Sequence, residues 1–400
     1  MKTAIIGGGA AGFFLAINLK EMCPQMAVTI FERSQRVLAK VEISGGGRCN
    51  CTNSFAEVRY LSAVYPRGHR LMKRLMKGFS QREAYEWFEH HGVRLVTQDD
   101  QCVFPASQDS RTIINCFMAE ARRHGIEIST GTRITTLSEL DGYDFIAVTT
   151  GGSPKLEGLQ WLASLGHEIT PPVPSLFTFR INDERLQSLM GTVVEDATAL
   201  IPGTKLKARG PLLITHWGMS GPAILKLSSY GAQLLAEHDY RQSLAINWLS
   251  SRDEDIKQQL LRLTIEGGRK QVASLHPEGI PTRLWSYLLN KALGQRAQSP
   301  WMSLNQKEIN RLTNILANDT YDIAGRAAFK DEFVTCGGVS LEAVSPATLE
   351  SRHVPHLYFA GEVLDIDGIT GGFNFQAAWT TAYTVASAIA REAGAADVLV

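Results

Sequence analysis

Near the start of the chain, Gly7-Gly8-Gly9-Ala10-Ala11-Gly12 has the residue types and spacing to hold a pyrophosphate. Gly7 permits a tight turn, Gly9 lets the backbone approach a diphosphate with no Cβ in the way, and Gly12 lets a helix pack closely on a strand. Ala11 lies within the same turn. The anion would then rest on the helix N-terminus, where unpaired N–H groups and the macrodipole favour negative charge. Glu32 follows about twenty residues past Gly12, where a carboxylate accepts ribose hydroxyls. That acid argues against a 2′-phosphate, an argument softened by Arg33 next to it. The chemistry is dinucleotide binding, and these residues leave FAD and NAD both open.

Further glycine strings follow. Ser44, Gly45, Gly46, Gly47, Arg48, Cys49 and Asn50 combine open backbone donors with a guanidinium fork and an amide, suited to a phosphate or a flavin edge. Gly151-Gly152 closes an apolar run, at the strand end where ligands of open α/β sheets lie. Near the C-terminus come Gly361, Glu362, Asp365, Asp367-Gly368, then Gly371, Gly372, Phe373, Asn374 and Phe375. Three glycine-rich turns at strand ends, far apart in the chain, point to one sheet closing around one long ligand.

Other reactive residues carry less. His216, in Thr215-His216-Trp217-Gly218-Met219-Ser220, is a candidate proton donor because its ordinary pKa is near neutrality, although a histidine at a strand end is more often structural. Ser220 has no His/Asp partner at a recognisable spacing, and Ser-Gly-Pro lacks the flanking glycine of a nucleophile elbow, which argues against hydrolase chemistry. Cys336 lacks a partner at C-x-x-C spacing, which weakens a disulfide-reductase reading. The six cysteines have neither the density of a disulfide scaffold nor a zinc-finger spacing, Cys49 and Cys51 being the one close pair, so no metal is expected.

The elements that must position these residues can be read from periodicity. The run 3–6, the glycine turn, a helix through residue 19 and a strand over 27–31 make a βαβ unit. Residues 145–150 read as another strand, 171–174 as a linker, and 176–181, 192–200, 212–216 and 243–249 as strands of a small sandwich or barrel. Between 251 and 318 the period becomes helical, with Pro281 at one helix start and an Asn305/Glu308 capping box at another. The chain returns through strands at 321–328 and 333–339, and a last helix is expected over 376–391. The expected fold is α/β: a discontinuous Rossmann-type domain of residues 1–172 and 340–400, an inserted β-rich domain of 173–250 with return strands at 319–339, and a helical subdomain of 251–318.

With 44% hydrophobic and 20% charged residues, 40 Lys+Arg and 40 Asp+Glu, the composition is that of an ordinary globular protein. Zero net charge argues against nucleic acid as a partner, although Arg67, Arg70, Lys73, Arg74 and Lys77 form a local basic run. No apolar run reaches membrane-spanning length, and the N-terminus has no signal-peptide pattern, so a cytoplasmic location and no membrane partner are expected.

The strings IIGGGAAG, ISGGGRCN, THWGMSGP, VTCGGV and YFAGEVLDIDGITGGFNFQAAW, with Lys40 ahead of the second, resemble the bacterial two-dinucleotide-binding-type flavoproteins known as aminoacetone oxidase-like proteins or as flavin reductases of bile-acid dehydroxylation. The likeness runs along nearly the whole chain. It implies FAD held noncovalently by an N-terminal Rossmann fold that the C-terminal segment completes. By position, Gly7, Gly9, Gly12 and Glu32 would serve the ADP half. Lys40, Ser44 to Asn50, Gly361, Glu362, Asp365 and Gly371 to Phe375 would line the pyrophosphate, ribityl chain and isoalloxazine. One departure stands out: after Gly151-Gly152 only a short stretch, 156–161, precedes the next helix, so a cofactor-flanking loop is curtailed. No second strand-GxGxxG-helix unit is present, so electrons come from the substrate or from NAD(P)H visiting the flavin transiently. The expected function is an FAD-dependent oxidoreductase of a small molecule, either an amine-type oxidase or a reductase of an unsaturated compound. A non-catalytic flavin regulator and a flavin-dependent RNA modifier are the alternatives.

Overall fold

The computed structural model describes residues 1–153, 155–327 and 334–394. Pro154, Ala328 and Phe333, assigned from sequence to a glycine turn and to the return strands, lie outside them. The chain divides into two compact units, Met1–Pro174 with Lys330–Val400, and Ser175–Phe329.

The first unit is built on a parallel sheet. Strand β1 (Lys2–Ile6) is buried beyond its first residue, as an apolar run flanked on both sides must be. It pairs in parallel with β2 (Ala27–Glu32), Ile5 opposite Ile30. Strand β3 (Glu127–Thr130) lies outside β2, and β4 (Phe145–Val148) pairs with the other edge of β1. Beyond β4 lies β5 (Leu357–Phe359), so a segment from the far end of the chain completes the sheet.

Helix α1 (Ala10–Met22) leaves β1 directly, and its residues Phe13, Phe14, Leu15, Ala16, Ile17 and Leu19 are fully buried. A helix apolar on every side must be covered on every side. The sheet lies on one side and the C-terminal helix, Phe373–Glu392, packs along it, with Phe14 5.1 Å from Trp379 between ring centres. Short helix α2 (Ala39–Gly47), helix α3 (His69–Leu75), helix α4 (Gln81–His90) and helix α5 (Arg111–Arg123) follow. Helix α4 starts at a complete capping box of Ser80 and Glu83, and its buried Trp87 and Phe88 join Phe117 of α5 around Phe14.

The second unit is a closed barrel in the order Val193–Leu200, Lys207–Thr215, Gly218–Ser220, Phe179–Ile181, Asp319–Arg326 and Arg241–Asn247. Three helices, Asp253–Gly267, Thr282–Leu293 and Gln306–Ala317, lie between its last two strands in sequence, the third opening on the Asn305/Glu308 capping box. Buried Asp319 ties the second of these helices to the barrel, accepting from Lys291 Nζ at 2.5 Å as well as from Trp248 Nε1 at 3.0 Å and the Tyr321 hydroxyl.

Several boundaries differ from the sequence expectation. Residues 171–174 are not a linker but the middle of strand Ile169–Ser175. Its partner is Val334–Val339, which therefore belongs to the first unit rather than returning to the barrel. Prolines do not bar a strand of a two-stranded ribbon, because an edge leaves some N–H positions unused. Only Phe179–Ile181 of the expected strand over 176–181 forms, Leu176 taking a left-handed φ of 58°. The C-terminal helix starts three residues before the expected 376, so Phe373, Asn374 and Phe375 are its first turn.

Candidate functional site

The turn after β1 separates the duties of its glycines. Gly7 has φ +117°, and a Cβ there would collide with the Thr149 carbonyl; a Cβ on Gly12 would strike the Gly7 carbonyl and come within 2.8 Å of Thr149 Oγ1. These two positions are closed. Around the place of a Cβ on Gly9, by contrast, nothing lies within 4 Å, and no side chain caps α1. An open cradle thus stands at an uncapped helix N-terminus, the surroundings a diphosphate requires. Thr149, which did not stand out in the sequence, fixes the turn by donating to the Gly7 carbonyl at 2.9 Å. Ala11 is buried where the backbone of Gly361 passes, a Cβ on Gly361 falling 2.9 Å from that of Ala11.

Glu32 ends β2 beside this turn. Its Oε2 accepts from Gly8 N at 2.9 Å, while Oε1 accepts from the N–H and hydroxyl of Ser34, both at 2.9 Å. Arg33 next to it is exposed.

In the second glycine string the chain breaks the helical path at Ser44, and Gly45 and Gly46 turn left-handed. No atom lies within 4 Å of a Cβ on Gly46 or Gly47. Ser44 Oγ donates to the Val41 carbonyl, and the Arg48 guanidinium lies 4.3 Å over the Phe104 ring while its Nε donates to Gly45 O at 3.2 Å. Cys49 is fully buried, its Sγ 3.9 Å from that of Cys51, so it presents backbone and no side chain. Asn50, with its amide turned to satisfy its neighbours, accepts from Gly372 N and donates to Thr52 O.

From the other end of the chain, Glu362 enters the same unit. It accepts from Lys40 Nζ at 2.8 Å and from Thr335 N at 2.8 Å. Burial would raise this carboxyl, but Lys40 and the backbone N–H groups of Thr335 and Gly152 outweigh it and hold Glu362 below its ordinary value. Gly152 is pressed against both partners, a Cβ there falling 2.7 Å from Glu362 Oε1; Gly151, left-handed, is looser. Asp365 accepts from Thr170 Oγ1 at 3.0 Å, while its Oδ1 is buried without a hydrogen-bond partner, and burial pushes its carboxyl up. Among the described residues Oδ1 meets no donor at hydrogen-bonding geometry, although the Gly337 N–H lowers the carboxyl, so there is room for a donor from a ligand.

Helix Phe373–Glu392 opens the same way as α1. Its N-cap, Gly372 at φ +88°, has no side-chain cap, and a Cβ there would strike the Thr52 carbonyl. Asn53 Nδ2 donates to Gly371 O at 3.0 Å, and Asn374 exchanges two hydrogen bonds with the backbone of Gly368. Phe373 packs edge-on against Phe55 and Tyr65, and Phe375 stacks on Trp379. The side chains of Phe373, Asn374 and Phe375 thus shape the turn and leave its N–H groups for a ligand. Arg67 and Asp367, bridged through both backbone and side chains, secure the approach to it. Asp367 lay within the quoted string, and Arg67 within the basic run, but nothing local paired the two.

Cys336, in the adjoining strand Val334–Val339, is buried, and burial pushes its thiol up to about 12, which disfavours the thiolate. His216 belongs to the barrel unit, where it sits with Trp217 on an exposed hairpin turn, the two rings 4.7 Å apart.

The profile of a family described as the HI0933-like protein Rossmann domain matches residues 1–388. The chain is 26% identical over 423 residues to the ribosomal RNA dihydrouridine synthase of Haemophilus influenzae, covering 98% of this chain and 99% of that one. It is likewise 26% identical over 410 residues to the 3-dehydro-bile acid delta(4,6)-reductase of Clostridium scindens, covering 97% and 99%. Among solved structures, the 3-ketosteroid delta1-dehydrogenase of Sterolibacterium denitrificans aligns with TM-score 0.49 at 10% identity, over 98% of this chain and 99% of that one.

Proposed function

Because this chain belongs to the HI0933-like Rossmann-domain family of flavin-dependent oxidoreductases, we propose that it reduces a carbon–carbon double bond conjugated with a carbonyl group. The observation that carries the reading is the pair of uncapped, glycine-opened helix N-termini, α1 after β1 and Phe373–Glu392 after β5, in one unit. Their positive poles suit the two electron-rich parts of FAD, a diphosphate and the pyrimidine edge of the ring. The relatives' names supply the bond. Uridine carries a C5=C6 bond conjugated with its C4 carbonyl, and a 3-dehydro delta(4,6) bile acid carries a conjugated dienone.

Bound FAD would supply a hydride, drawn from NADH or NADPH in transit, to the β-carbon of such a bond, and the α-carbon would take a proton from solvent, so that the bond gains two hydrogens. The chain's own residues do the rest. Gly9 and the first turn of α1 bind the diphosphate, Glu32 exchanges its Ser34 partners for ribose hydroxyls, and Asp365 Oδ1 gains the donor it lacks from a ribityl hydroxyl. The Lys40–Glu362 ion pair borders the middle of the cofactor, and Gly46 and Gly47 leave room beside it. The N-terminus of Phe373–Glu392 steadies negative charge at the ring.

The test is an anaerobic half-reaction pair on the FAD-loaded protein. NADH or NADPH should bleach the flavin, and an α,β-unsaturated ketone should restore its colour while gaining two hydrogens. Bleaching by amines with recovery only in dioxygen would overturn the reading in favour of an oxidase.

One observation favours RNA as carrier of the bond. Arg70, Lys73, Arg74 and Lys77 are all exposed and recur at the helical spacing around α3, whose preceding Arg67 pairs with Asp367 near the C-terminal glycine turn. Such a stripe suits a phosphate backbone, with uridine as the reduced group.

A further inference from the structure

Away from the glycine turns, helices α1, α4 and α5 bring their C-termini to one spot. Glu21 is the penultimate residue of α1, His91 the C-cap of α4, and Glu120 and His124 the last turn and C-cap of α5. Three negative helix poles and two carboxylates converge there, so the spot calls for a cation. Oxygen or nitrogen atoms of Glu21, His91 and Glu120 lie within 4.8 Å of one another. His124 Nε2 lies 3.6 Å from Glu120 Oε2 and 3.9 Å from Glu21 Oε1. Donor atoms around a tetrahedral zinc stand roughly 3.3 Å apart, so small side-chain shifts would complete a two-histidine, two-carboxylate set.

His91 is held as a metal-binding histidine is held. Its side chain is only 4% exposed, and Nδ1 lies 2.7 Å from the Trp87 carbonyl, which fixes the proton on that nitrogen. The other ring nitrogen, Nε2, faces Glu21 Oε1 at 2.9 Å and is the atom that would take a metal in place of the proton of that pair. Two lone pairs cannot face each other there, so a proton or a metal ion must stand between them. Glu120 Oε2 is sealed from solvent and makes no hydrogen bond of good geometry, although Arg123 Nη2 approaches to 2.6 Å. Arg123, 60% exposed, now supplies the cation of the cluster, its Nη2 also 3.7 Å from Glu21 Oε1 and 3.2 Å from His124 Nε2, so an entering ion must displace it; the cluster borders a groove of about 970 Å³ that gives access. The other Glu/His cluster, Glu350, His356 and Glu392, is more open and its Glu392 already accepts from the Tyr358 hydroxyl at 2.5 Å.

We propose that Glu21, His91, Glu120 and His124 form a binding site for a divalent transition ion of the zinc type, which clasps α1, α4 and α5 together. The ion replaces the proton on His91 Nε2 and displaces Arg123. Cysteine spacing could not reveal this site, because its donors are imidazole and carboxylate groups drawn from three separate helices.

The experiment titrates the chelator-stripped, FAD-loaded full-length protein with zinc chloride alone, by calorimetry and tryptophan fluorescence. Trp87 stacks on His91 with ring centres 3.8 Å apart and reports on the site. One equivalent should bind, raise the melting temperature and alter the emission. His91→Gln and Glu120→Gln should each weaken binding by about tenfold or more, and His124→Asn by less. Arg123→Gln, at a position 60% exposed, should tighten binding several-fold by removing the competing cation. The absence of a saturable site, or an affinity unchanged in both His91→Gln and Arg123→Gln, overturns the proposal.

Discussion

Gly9 and Gly12 lie three residues apart in one turn yet answer to different constraints. Gly12 is closed by the protein itself, so Gly12→Ala should overpack the turn and cost about 1–3 kcal/mol in urea unfolding of the FAD-free protein. Gly9 has an ordinary φ of −94° and open space beyond it, so Gly9→Ala should keep stability within about 0.5 kcal/mol. Its FAD affinity, followed by flavin fluorescence, should nevertheless fall sharply, because the methyl would occupy the place proposed for the diphosphate. Wild-type affinity in Gly9→Ala would remove the diphosphate from this turn. A second residue-scale expectation concerns Lys40 and Glu362. The folded Glu362 carboxyl lies below its ordinary value, so its contribution is present above the unfolded-state pKa and is lost as pH falls through the folded one. Lys40→Met lets burial raise that carboxyl, and the loss of stability on acidification should begin at a higher pH. At neutral pH the cost should stay below about 1 kcal/mol, since Lys40 is 57% exposed and screened.

At the scale of elements, the start of the C-terminal helix depends on a close approach. Gly372 is left-handed and faces the Thr52 carbonyl, so Gly372→Ala must displace the first helical turn, Asn53, or both. It should destabilise the FAD-free protein by about 1–3 kcal/mol and also abolish FAD binding, in contrast to Gly9→Ala, which separates the two effects. Much of this unit was legible in the sequence because its signals are local. A strand, a glycine turn and a helix follow one another within the first 22 residues, and GEVLDIDGITGGFNFQ is a single continuous string. What escaped was set by pairing across the chain. Thr149 holds the Gly7 turn from another strand, and Arg67 meets Asp367 300 residues away. The prolines at 171–174 suggested a linker, and only the partner strand Val334–Val339 makes that segment part of a ribbon. The helix start was placed late because Phe373, Asn374 and Phe375 follow two glycines without a Ser, Thr, Asp or Asn cap, and the absence of that cap is itself what leaves N–H groups for a ligand.

For the whole molecule, balanced charge sharpens what RNA recognition would require. With 40 basic and 40 acidic residues there is no global field, so any attraction to a polyanion must arise from a local surface. Arg70, Lys73, Arg74 and Lys77 are that surface in the first unit. If uridine in a structured RNA is the substrate, binding should weaken with rising salt in proportion to the phosphates contacted. Arg70→Gln with Lys73→Gln should then flatten the slope of log affinity against log salt by roughly 0.7–0.9 per lost contact. Fluorescence anisotropy with a ribosomal RNA fragment, repeated across a salt series, measures this. The same double variant should reduce a small α,β-unsaturated ketone at the wild-type rate, because neither side chain belongs to the glycine turns proposed to hold the flavin. A flattened slope with intact enone turnover would assign the stripe to RNA and the glycine turns to catalysis. A wild-type slope, or no RNA binding at low salt alongside efficient enone reduction, would leave a small molecule as the substrate.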